Sequence, residues 1–209
     1  CTILDPIKLI IDNYPEGKKE ILTTDNNPDN PEAGVREIPF GREIYIERGD
    51  FREEADKNFY RLSPGGREVR LKSAYIIQAT GCEKDANGNI TTVHATYDPN
   101  TKSGTEGGNK KVKSTINWID VDNSKEAELR LYDRLFVCEN PSAEEGDFRD
   151  LLNPNSLTVV PQARVETFVA NAKPGDKFQF LKTGYFNTDK DSTPEHPIFN
   201  LTVSLKESK

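Results

Sequence analysis

The sequence predicts an all-β protein built of small barrels, and three observations carry that prediction. Residues Arg67 to Ser73 alternate strictly, with Arg67, Val69, Leu71 and Ser73 on one side and Glu68, Arg70 and Lys72 on the other. That period of two is a strand with one buried and one polar face. Asn87-Gly88 sits between two runs rich in β-branched residues, the strongest short hairpin signal in the chain. Elsewhere short apolar runs are broken by Gly, Pro, Asn and Asp, with no internal repeat and no sustained 3.6-residue pattern. Of 209 residues only 34% are apolar and 30% are charged, so the core is thin and the surface large. Two small barrels suit that balance better than one thick globule.

Taken in order, Lys8 to Asp12 reads as a first, largely buried strand, Tyr14 to Gly17 as a turn and Lys19 to Thr23 as a return strand. Asp25 to Gly34 is a loop, because its Asn, Asp and Pro residues compete with regular backbone pairing. Val35 to Phe40 and Ile44 to Glu47 are extended. Tyr75 to Thr80 pairs with Ile90 to Tyr97 across Lys84 to Asn89. Asp98 to Lys111, with Pro99, Gly104, Gly107 and Gly108, reads as a mobile loop. Val112 to Val121 is a strand carrying the only tryptophan, Trp118, and Leu129 to Val137 is another long strand. Glu144 to Leu152 suits a short helix, and Ala163 to Ala172 is either helical or irregular. Leu157 to Val160, Lys177 to Leu181 and Ile198 to Leu205 close the chain as strands.

The chemistry concentrates between Phe51 and Tyr75. Asn58, Phe59, Tyr60 and Arg61 bring an amide, two rings and a guanidinium to one side of the turn Ser63-Pro64-Gly65-Gly66. Arg70 and Lys72 stand on the polar face of the strand that follows. Cations for phosphate, rings for stacking and forked donors for base edges suit single-stranded RNA with splayed bases. An ordinary hairpin with a solvated charged face fits the same residues. The net charge of -7 opposes indiscriminate nucleic-acid binding. A binder of this kind depends on local cation density and is selective and salt-sensitive.

Other chemistries find little support. Thirty-five carboxylates make neighbours such as Glu53/Glu54 and Glu144/Glu145 unavoidable, so no catalytic residue is assigned. His94 and His196 lack ligands at metal spacing, and no metal site is assigned. In Asp85 to Asn89 the glycine stands at the fourth position, where a calcium loop needs it at the sixth, so the segment is a turn. Gly104 to Lys110 lacks the spacing of a phosphate loop. No run approaches the length of a membrane span, and no secretory leader is seen. Three widely spaced cysteines, Cys1, Cys82 and Cys138, argue for reduced thiols and a cytoplasmic protein.

Phe51-Arg-Glu-Glu, Arg61-Leu, Glu68-Val-Arg-Leu and Leu129-Arg-Leu-Tyr-Asp-Arg-Leu-Phe136 resemble the C-terminal anticodon-binding region of glutaminyl-tRNA synthetase, a class I aminoacyl-tRNA synthetase. Asp5-Pro-Ile-Lys-Leu, Phe178-Gln-Phe180, Gly184-Tyr-Phe186 and Phe199-Asn-x-Thr-Val203 extend the resemblance, in family order, over nearly the whole chain. Glutamyl enzymes of archaea and eukaryotes share this architecture and form the alternative, as does a non-catalytic β-barrel interaction domain. The resemblance implies two barrels, the distal one inserted in the proximal one: residues 1–43 with 132–209 form the proximal barrel and 44–131 the distal. It also implies a partner, the anticodon stem-loop of tRNA(Gln). It implies as well a catalytic core N-terminal to Cys1 in the same polypeptide that uses ATP and Mg, with no cofactor expected in this region. A monomer without membrane contact is expected.

The resemblance further assigns roles. Arg61 takes the position contacting the third anticodon base, a guanine, whose two adjacent acceptors suit a guanidinium fork. Gln179 takes the position contacting the middle uracil, with Phe178 and Phe180 facing the opposite side as anchors. Asn58 and Tyr60 join the base-reading group, standing for a longer amide and a lysine in the family pattern. Arg70, Lys72, Lys182 and Lys206 fall where the family places cations near the first base and the phosphates. Lys72 and Lys206 replace arginines, which keeps a point charge and loses the planar fork. Asp29 stands where an asparagine occurs.

Overall fold

The computed structural model describes residues 1–27, 30–180 and 183–205. It is nearly all β, with one short α-helical turn and several 3-10 turns. The chain divides into two compact units, Cys1–Ser124 and Lys125–Lys209.

The first unit contains β1 (Thr2–Ile3), β2 (Pro6–Ile11), β3 (Glu20–Asp25), β4 (Val35–Phe40), β5 (Glu43–Glu47), β6 (Val69–Leu71), β7 (Ile76–Lys84), β8 (Ile90–Asp98), β9 (Thr115–Ile116) and β10 (Ile119–Asp120). Seven of them form one sheet in the order β10-β5-β2-β8-β7-β6-β9, and β3 pairs β4 separately. The two edges of the seven-stranded sheet, β9 and β10, are joined by Asn117 and Trp118 alone. A flat sheet would hold those edges about 29 Å apart, six spacings of roughly 4.8 Å. The three virtual bonds from Ile116 to Ile119 reach about 11 Å at most. The sheet therefore curls on itself, and the linking Trp118, 5% exposed, belongs to the core it encloses.

Within that largely aliphatic core the aromatic rings pack against one another. Phe40 meets Tyr14 edge-on at 5.2 Å and Trp118 edge-on at 5.0 Å, and Tyr75 meets Tyr97 edge-on at 5.1 Å. Such edge-to-face pairs set the positive rim of one ring against the negative face of the next. The tyrosine hydroxyls share one carboxylate: Tyr14 and Tyr75 donate to Glu20 Oε1, while Lys102 Nζ reaches Glu20 Oε2 at 2.9 Å. Burial, followed by the Glu20 charge, pushes both phenols far above their ordinary range.

Several elements differ from those predicted. The Lys8–Asp12 strand is β2, but its return partner is not Lys19–Thr23. β5 takes one edge of β2 and β8 the other, leaving no place for β3, which pairs β4. Ile44 registers with Leu9, placing β2 and β5 in one sheet. The strand predicted over Arg67–Ser73 shortens to Val69–Leu71, because Ser73 adopts a left-handed φ of 59° and turns the chain. Val112–Val121 resolves into β9 and β10 around Trp118. The β7–β8 hairpin forms as predicted, with Gly88 at φ 83°.

The second unit contains β11 (Ser124–Tyr132), β12 (Leu157–Glu166), β13 (Lys177–Phe180), β14 (Gly184–Thr188) and β15 (Ile198–Ser204), in the order β12-β11-β15-β14-β13. Phe180 and Phe199 meet edge-on at 5.5 Å, and Phe180 lies 4.7 Å from Phe186. Glu144–Leu152 holds only a 3-10 turn over Phe148–Leu151, and Ala163–Ala172 begins as strand and ends in α1 (Thr167–Ala170).

Candidate nucleic-acid interface

Between β5 and β6 the chain makes an excursion, residues 52–61, closed at its base by a parallel bridge between Phe51 and Leu62. Both of these residues are buried, at 5% and 0% exposure. Arg52 N donates to Leu62 O and Leu62 N to Asp50 O, each at 3.0 Å. Apolar burial and two backbone bonds thus pin the ends while the tip stays in solvent.

Three sequence-predicted residues lie together here. Arg61 is exposed, and its Nη1 lies 2.8 Å from Oδ1 of the buried Asp50. Tyr60 is 43% exposed, with the Arg67 guanidinium 5.0 Å and the Lys113 ammonium 5.1 Å from its ring centre. Its carbonyl accepts from Ser114 Oγ, which ties the excursion to the segment carrying Lys113. Asn58 is exposed, and its backbone N donates to Asp56 Oδ1 in an Asx turn. Phe59 carries Arg52 at 4.6 Å from its ring centre. Within 52–61 three cations and three carboxylates cancel, so Arg67 and Lys113 make the local balance positive on a chain of net charge -7.

Arg70 takes a different part. Its Nη1 donates to Thr101 O at 3.1 Å and contacts Ser103 Oγ at 3.4 Å, and its Nη2 donates to Lys110 O at 2.9 Å. The loop predicted to be mobile is therefore fastened. Thr101 is 2% exposed and accepts from Ile76 N, Ser103 N donates to Ala74 O, and Lys110 pairs with Glu68. Gly107 comes so close to Asn100 O that a Cβ there would lie 1.8 Å away. Glycine marked close backbone approach here, where composition suggested freedom. Lys72 follows β6 in the turn before Ser73; its N donates to Ile116 O at 3.0 Å and its carbonyl accepts from Trp118 Nε1 at 2.9 Å.

In the second unit Gln179 is exposed on β13, opposite Tyr185 on β14. Phe180 beside it is buried and Phe178 half-buried, stacking at 6.2 Å on the far face. Period two delivers the predicted orientation. Asp29, Lys182 and Lys206 lie outside the described residues.

His94 on β8 sits between Asp12 Oδ1 at 2.9 Å and Glu83 Oε1 at 2.8 Å, and these two hydrogen bonds raise its pKa. Among the described residues no group of acids, cysteines and histidines could hold a metal ion, and no helix is long and apolar enough to cross a membrane. Sequence reading missed Asp50, Arg67 and Lys113. The signal for Asp50 was present: Asp50-Phe51 and Arg61-Leu62 each place a charge just before a buried apolar residue, so bridging the apolar pair aligns the charges.

A curled β-scaffold presenting a half-exposed ring among cations and an arginine held by a buried carboxylate has the parts of a single-stranded RNA reader. Comparison with known proteins narrows that class. Residues 1–98 and 115–189 each match a model of the family described as tRNA synthetases class I (E and Q), anti-codon binding domain. The chain belongs to that family. It is 50% identical over 206 residues to a glutamine–tRNA ligase of Haemophilus influenzae, covering 98% of this chain and 36% of the relative. It is 50% identical over 208 residues to one of Rhodopirellula baltica, covering 99% of the chain and 34% of the relative. A Bradyrhizobium diazoefficiens relative of the same description is 46% identical over 206 residues, covering 99% of the chain and 36% of the relative. The chain thus spans about a third of the length of these relatives.

Proposed function

We propose that this chain is the anticodon-binding region of a glutamine–tRNA ligase, binding the anticodon stem-loop of tRNA(Gln) with its bases splayed. Arg61 reads the third base, Gln179 the middle base, and Asn58 and Tyr60 assist. Lys72, Lys182 and Lys206 serve the phosphates or the first base. Arg70, placed with them by resemblance, acts chiefly on the 98–111 loop, because its donors already meet two carbonyls there. The aminoacylation site, with ATP and Mg, belongs to the catalytic core of the same polypeptide. The full protein works as a monomer in the cytoplasm, and three cysteines outside any disulfide support the cytoplasmic part of that reading.

The observation that carries the proposal is the Arg61 guanidinium, exposed yet anchored to Asp50 at the base of the excursion. Guanine offers O6 and N7 to such a fork, and a good bidentate contact discriminates by about 1–3 kcal/mol. The test is titration of the chain with RNA hairpins bearing a glutamine anticodon or a single substitution at its third or middle base. Each substitution should weaken binding about 5- to 150-fold. Equal binding of all hairpins would leave only a charged surface.

A further inference from the structure

Asp50 is 6% exposed, at the end of the 3-10 turn Arg48–Asp50. Its carboxylate meets Arg61 Nη1 at 2.8 Å, across the bridge that fixes both backbones. The bridge is parallel, so the residue before Phe51 and the residue before Leu62 stand side by side. An ionised carboxylate this buried is costly unless a cation compensates it. Arg52 provides the contrast. Its partner Asp56 is exposed and 3.7 Å away, a surface pair of little energetic consequence.

We propose that Asp50 is the positioning residue that holds the Arg61 guanidinium in the plane needed to read a guanine edge, setting base selectivity without touching RNA. The inference rests on the reading of Arg61 given above. Arg61 Nη1 pairs with Asp50 Oδ1 as an ion contact at 2.8 Å, and guanine needs two of the guanidinium's five N–H donors. An arginine free in solvent loses rotamer entropy when it binds. Arg61 has already been ordered by a carboxylate in the folded protein, so its fork is directed before the base arrives.

Asp50→Asn keeps the side chain's shape and one acceptor and removes its charge. The experiment measures binding of this variant, Arg61→Ala and the double variant to hairpins with G or A at the third anticodon position, at several salt concentrations. Asp50→Asn should reduce the preference for G about tenfold, within the range of one bidentate contact, and leave the salt slope unchanged. The double variant should discriminate no worse than Arg61→Ala alone. A merely structural aspartate would instead lower the melting temperature and weaken both hairpins equally, and that result would overturn the proposal. Should Asp50→Asn fail to fold, Asp50→Glu retains the charge and displaces it by one methylene. Retained G preference in a folded Asp50→Glu protein then overturns the proposal. Discrimination lost in Arg61→Ala but kept in Asp50→Asn overturns the inference alone. Discrimination kept in Arg61→Ala, or no binding by the unsubstituted chain, overturns the reading of Arg61 and the inference together.

Discussion

Arg61 and Arg70 come from one stretch of sequence and do opposite things. Arg70, on β6, binds the carbonyls of Thr101 and Lys110. Arg61, at the foot of the excursion, has one nitrogen ion-paired with a buried carboxylate and its side chain 46% exposed. The difference lies in what each arginine meets. Carbonyls on a loop accept from both terminal nitrogens of Arg70, so its charge organises the protein. A single carboxylate from below orients Arg61 and leaves its fork to solvent. Residue type and strand phase do not distinguish these cases; the path of a loop some thirty residues downstream decides between them.

The largest effect expected is on Arg70. Arg70→Ala leaves the Thr101 and Lys110 carbonyls without their charged donor, which should lower stability by about 2–4 kcal/mol. In urea unfolding the midpoint should fall with little change in slope, while the preference for G at the third anticodon base persists. An Arg70→Ala protein of full stability that had lost base preference would reverse the roles assigned to the two arginines.

That comparison also shows what could be read beforehand. The β7–β8 hairpin was legible because Asn87-Gly88 and the alternation around it act locally. The exposure of Gln179 was legible because its neighbours Phe178 and Phe180 fix the phase of β13. The pairing of β2 with β5 and β8 was not, since a strand's edges are claimed by segments far along the chain. The 98–111 loop was misjudged because glycines that permit close approach and glycines that permit motion have the same composition. Lys113 lies over Tyr60 beside the bond from Ser114 to the Tyr60 carbonyl, a contact with no sequence pattern. Lys182 and Lys206 remain sequence assignments.

A smaller effect is expected at the rim. If Lys113 meets a phosphate, Lys113→Ala should weaken every hairpin alike and reduce the salt slope by roughly 0.7. A loss confined to one anticodon base would instead make Tyr60 and Lys113 part of base reading. The smallest effect lies away from the interface, at His94. Hydrogen bonding to Asp12, then to Glu83, raises the pKa of His94 in the folded chain. Its stabilising contribution is therefore complete below the unfolded value of about 6.5 and lost as pH rises through the raised folded value. His94→Gln should flatten that part of the stability–pH curve, measured by urea unfolding, and leave RNA selectivity intact. A curve unchanged by the substitution would remove His94 from the account.

The central claim is that Arg61 reads a base and is more than a phosphate clamp. It is tested most directly by a cycle of Arg61→Ala against substitution of the third anticodon base, with binding followed at several salt concentrations. Arg61→Ala should cost about 1–3 kcal/mol on the hairpin carrying G and much less on the hairpin already substituted there. An equal loss on both hairpins, with a reduced salt slope, would make Arg61 a phosphate contact and contradict the claim.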